Sequence, residues 1–111
     1  MANNEPLAGK RILFVTGRLA QHALENELRK LAPEVGIEYE VAVLPITVAA
    51  LMTPAWIAKK LEVPSGVDLV IVPGYCQGDL SQLKATLSCP VETGPRDLRK
   101  LRQHFGLRYQ P

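Results

Sequence analysis

The chain predicts a three-layer α/β domain with a four-stranded, mainly parallel sheet. Three observations carry that expectation. Apolar, β-rich runs alternate with segments whose leucines recur at helical spacing. In Asp68-Leu-Val-Ile-Val-Pro-Gly74 four apolar residues run straight into Pro-Gly, as in a strand buried on both faces. Each run ends in a corner rich in glycine or proline.

Residues 11–15, Arg-Ile-Leu-Phe-Val, form the first strand, closed by Thr16-Gly17-Arg18. Leu19, Ala23, Leu24, Leu28 and Leu31 then mark one helical stripe, with Glu25, Glu27, Arg29 and Lys30 on the polar side. Pro33 and Gly36 are expected to end that helix. Residues 37–44 form the second strand. Its start alternates through Glu38 and Glu40, and its end is apolar. That pattern predicts an edge strand with a solvated beginning and a covered end. Residues 48–52 suggest one helical turn. Thr53-Pro54 has the signature of a helix start, with Thr as cap and Pro in the first turn. Met52 and Trp56 are expected to pack under this second helix.

Residues 67–72 are the third strand. Beyond the 73–78 corner, Asp79 is expected to cap a helix lined by Leu80, Leu83 and Leu87. Residues 89–92 are a short fourth strand. Thr93-Gly-Pro95 leads into a last helix carrying Leu98, Leu101 and Phe105, ended by Gly106. The order β-α-β-α-β-α-β-α argues for right-handed crossovers and helices on both faces. The expected strand order is 2-1-3-4, in the Rossmann or flavodoxin style. Residues 1–9 read as a flexible lead-in, 10–106 as one domain and 107–111 as a tail.

At 111 residues one domain is expected. No stretch approaches the ~20 apolar residues of a membrane span. The start lacks a signal peptide's basic and apolar regions. Two cysteines are too few for a disulfide framework, so the expected setting is a reducing cytoplasm. The formal net charge of +2 gives no argument for nucleic acid. Basic residues do concentrate between Arg96 and Arg108, as a solvated helix face or a contact surface.

In open α/β sheets, ligands bind beyond the carboxyl ends of the strands. Three corners are candidates there. Thr16, Gly17 and Arg18 form either a plain tight turn or an anion contact at a helix N-terminus. The dinucleotide glycine fingerprint and the lysine-bearing phosphate loop are both absent. The second corner holds Gly74, Tyr75, Cys76, Gln77, Gly78 and Asp79. Asp79 is a helix cap or a hydroxyl ligand. Cys76 is a structural thiol or a nucleophile, but the chain's histidines, His22 and His104, fall where no base would reach it. The third corner holds Gly94, Arg96 and Asp97, where Arg96 either pairs with Asp97 on the surface or reaches into the crevice between the third and fourth strands. No cluster of metal ligands is visible.

The segments Arg11-Ile-Leu-Phe-Val-Thr-Gly-Arg-Leu-Ala20, Tyr39-Glu-Val-Ala-Val-Leu-Pro-Ile-Thr-Val-Ala-Ala-Leu-Met-Thr53, Val72-Pro-Gly-Tyr-Cys-Gln-Gly-Asp-Leu80 and Glu92-Thr-Gly-Pro-Arg-Asp-Leu98 resemble the N-terminal domain of dihydropteroate synthase-related proteins. The resemblance runs from about Arg11 to Gly106. It implies an accessory or ligand-binding domain of unknown function, preceding a pterin-binding barrel and linked to tetrahydromethanopterin one-carbon metabolism. The barrel would carry the pterin chemistry. A chain of this length has no room for it, so no barrel residue is carried over. The expected ligand is a small anion or a pterin-like molecule, no cofactor is specified, and no catalytic residue is assigned. The alternatives are a small enzyme using Cys76 or Asp79, and a purely structural docking domain.

Overall fold

The computed structural model describes residues 9–47, 53–74, 80–87, 89–95 and 100–101. Four strands, β1 (Arg11–Thr16), β2 (Glu38–Val43), β3 (Leu69–Val72) and β4 (Val91–Thr93), alternate with helices α1 (Gln21–Val35), α2 (Pro54–Lys60) and α3 (Ser81–Thr86). The sheet runs β2-β1-β3-β4 and every pairing is parallel, giving a flavodoxin-like α/β sandwich.

Alternation along the strands divides the core in two. Ile12 pairs with Tyr39 and Leu69, and Phe14 with Val41 and Ile71. These side chains share one apolar cluster with Leu24, Leu28, Leu31 and Ala32 of α1 and with Leu101. Leu13, Val15, Val70, Val72 and Val91 face the other way, onto Ile57, Leu61 and Leu83. Trp56 is partly buried at the margin of that second cluster, as are Leu80 and Leu87, and Met52 lies outside the described residues. Each central strand is therefore covered on both faces, which is why its sequence reads as an unbroken apolar run.

Local signals explain most boundaries. Thr53 caps α2 in extended conformation, its Oγ1 accepting from the Trp56 N–H at 3.2 Å. Helix α1 departs from expectation at its start and at Pro33, and ends at Gly36 as expected. It starts at Gln21, so Leu19 lies in the preceding turn, 73% exposed, and Ala23 is exposed too. The buried stripe is Leu24, Leu28, Leu31 and Ala32, a truer i, i+4, i+7, i+8 set. Pro33 does not stop the helix but sits inside it. The bond it cannot make would go to the carbonyl of Arg29, and both residues are exposed, so water can replace it.

Gly36 ends α1 in the left-handed region, with φ at 78° and its N–H donating to the Ala32 carbonyl at 2.7 Å. Gly36→Ala is expected to cost about 1–2 kcal/mol, read as a lower urea midpoint with an unchanged slope.

Strand β2 also differs from expectation. Its carboxyl end is covered only in part: Leu44 is buried in the second cluster and Val41 and Ala42 are half-buried, but Val43 is 36% exposed. The physical reason is its edge position, with β1 on one side and no further described strand on the other. The turn expected over 48–52 lies outside the described residues, as does most of the last helix. Strand β4 begins at Val91, not at Cys89.

Candidate functional site

A parallel sheet puts all its strand-to-helix corners on one edge. The chain moves from β1 to β2 on one side, then returns past β1 to β3, so the order reverses between β1 and β3. Corners on either side of such a reversal diverge and leave a crevice. Gly17 lies three residues beyond Phe14, and Gly74 three beyond Ile71, the residue that Phe14 pairs with. The two glycine corners are thus neighbours across the reversal. Gly94 follows Thr93, which pairs with Val72, and its N–H donates to the Val72 carbonyl at 2.9 Å. Thr16, Gly17, Arg18, Gly74 and Gly94 therefore share one edge. Tyr75, Cys76, Gln77, Gly78, Asp79, Arg96 and Asp97 lie outside the described residues.

The first corner is built differently from an anion-binding turn. The Leu44 N–H donates to the Thr16 carbonyl at 2.9 Å, extending the β1–β2 pairing. The Arg18 N–H then donates to the Ile46 carbonyl at 2.8 Å, and the Leu19 N–H to Thr47 at 3.1 Å. Two backbone donors that would have met a phosphate are thus spent on the chain following β2. Gly17 is needed for this contact. A Cβ there would stand 2.8 Å from the Ile46 oxygen and 3.2 Å from that of Thr47. The corner leans toward β2 and is closed on that side by the chain after it.

Thr16 is buried, 3% exposed, and its hydroxyl donates to the Gly17 carbonyl at 3.3 Å. Arg18 is exposed. The N-cap of α1 is Ala20, with no side-chain cap hydrogen bond and no acidic residue in the first turn. The electrostatic bias left at this corner comes from the positive end of α1 and the Arg18 guanidinium.

At the other corners the sequence placed details imperfectly. The N-cap of α3 is Leu80, without a side-chain cap, one residue beyond the position expected for Asp79. Gly94 is needed for close packing: a Cβ there would stand 3.0 Å from Ile71 Cγ2.

The opposite edge of the sheet carries a polar clasp that strand patterns did not reveal. The Arg11 N–H donates to Asp68 Oδ2 at 2.9 Å, and the Asp68 N–H to the Arg11 carbonyl at 2.8 Å. The Arg11 guanidinium meets Glu38 Oε1 at 2.8 Å and Glu40 Oε2 at 4.0 Å. The hydrogen bond to Glu38 comes first among the causes that raise the Arg11 pKa. This exposed clasp aligns β2, β1 and β3 more than it stabilises them. The available signal was register, because Arg11 and Glu38 each open a strand in parallel pairing.

Cys89 lies toward the same edge, half-buried. Burial pushes its thiol pKa up, and the Asp68 charge adds to the effect. With Cys76→Ser removing the other thiol, Cys89 is expected to alkylate more slowly than free cysteine at neutral pH. The native thiol holds its proton to higher pH than the unfolded one. Its contribution to stability is therefore present below the unfolded pKa and lost as pH rises through the folded value.

Among the described residues, no group of His, Cys, Asp and Glu is placed to hold a metal ion, and no helix is long and apolar enough to cross a membrane.

The fold and its edge define a small parallel α/β domain with glycine corners gathered where the strand order reverses. Residues 10–96 match the model of a family of unknown function (DUF6513), and the chain belongs to that family. No curated protein and no solved structure matches it.

Proposed function

We propose that this chain is an accessory, ligand-binding N-terminal domain of a dihydropteroate synthase-like protein, without catalysis of its own. Its ligand is a small pterin-related molecule, seated between the β1 and β3 corners. The chemistry belongs to a pterin-binding barrel, in keeping with tetrahydromethanopterin-linked one-carbon metabolism. The single observation that carries the reading is the adjacency of the Gly17 and Gly74 corners across the reversal of strand order. The sequence segments that resemble those proteins include both corners.

The first corner also bears on the kind of ligand. With the Arg18 and Leu19 N–H groups spent on Ile46 and Thr47, it offers little to a phosphate. A flat heterocycle that asks for a few donors and acceptors from the Gly74–Asp79 and Gly94–Asp97 segments suits it better. An anionic substituent on that ring would be met by Arg18.

The test is a titration of the isotopically labelled chain with a pterin, a nucleotide and inorganic phosphate, followed by amide shifts. The pterin is expected to move the amides of residues 74–79 and 94–97 saturably, and phosphate alone to move them little. A pterin that leaves all of them unmoved overturns the reading.

A second reading, a structural docking domain, is favoured by exposed Leu19 and Val43 on the β2 side. Shifts around 41–47 on adding the barrel domain, with none from any small molecule, would select it.

A further inference from the structure

We draw no further inference here: the strongest candidate, the exposed apolar patch of Leu19 and Val43 beside the free edge of β2, carries nothing beyond the docking reading because nothing among the described residues shows what covers it.

Discussion

Phe14→Ala is expected to lower the unfolding free energy by about 3–5 kcal/mol. The side chain is among the largest that are fully buried, 2% exposed, on the second strand from the edge. Its cross-strand partners, Val41 and Ile71, lie on the same face, and α1 covers that face with Leu24 and Leu28. Removing the ring forfeits its transfer free energy and leaves a cavity that a parallel sheet, pinned on both sides, cannot collapse to fill. Domains of this size are held by about 5–15 kcal/mol in total, so the loss is a large share of the whole.

Chains with few aromatic residues should feel such a loss more. Only 5% of this one is aromatic, and among the described residues the one other aromatic in the α1-side cluster is the partly buried Tyr39 at the β2 edge. Phe14→Leu keeps most of the volume and is expected to cost less than about 1.5 kcal/mol. Urea unfolding of both variants checks the pair. A Phe14→Ala loss below about 1 kcal/mol, at unchanged slope, would mean that Phe14 is not a central packing residue.

The architecture was legible because parallel sheets write themselves plainly. Ile12 to Val15 and Leu69 to Val72 are apolar at every position, and only strands covered on both faces need that. The alternating Glu38 and Glu40 marked β2 as an edge. Boundaries were harder where a residue serves tertiary structure in place of its own element. Leu19 looked like the first residue of a helical stripe, yet its N–H is committed to Thr47, which holds it in the turn. Pro33 looked like a stop because its cost inside a helix is real. Here the residue sits inside the helix all the same, where Pro33 and Arg29 are both exposed and water can replace the missing donor.

The site was legible as an edge but not as a chemistry. Glycine at 17, 74 and 94 pointed to corners, and parallel topology put those corners side by side. Whether a corner's N–H groups are free depends on which carbonyls the following strand's loop presents. Nothing in Thr16-Gly17-Arg18 encodes the position of Ile46 and Thr47. The same glycine that could admit a phosphate admits a neighbouring backbone just as well, and here the backbone occupies it.

That distinction gives Gly17→Ala its value. The substitution is expected to cost about 1–3 kcal/mol, through overpacking. Left-handed conformation is not the cause: among the described residues the glycines with positive φ are Gly9, Gly36 and Gly66. The clash is with backbone oxygens at 2.8 and 3.2 Å, which cannot rotate away as a side chain could. Relief requires the corner and the 45–47 segment to part, lengthening the Arg18–Ile46 and Leu19–Thr47 hydrogen bonds. Amide exchange at Arg18 and Leu19 should therefore quicken by more than the global loss of stability explains. Gly94→Ala is the control. Its new methyl crowds Ile71 Cγ2 at 3.0 Å, in the buried core, and meets a backbone oxygen only at 3.5 Å, so amide exchange at Arg18 and Leu19 should there follow the global loss of stability alone. Equal, small effects at both positions would remove the close approach of the first corner to the chain after β2. The N–H groups of Arg18 and Leu19 would then be free donors again, and phosphate would return as a ligand of that corner.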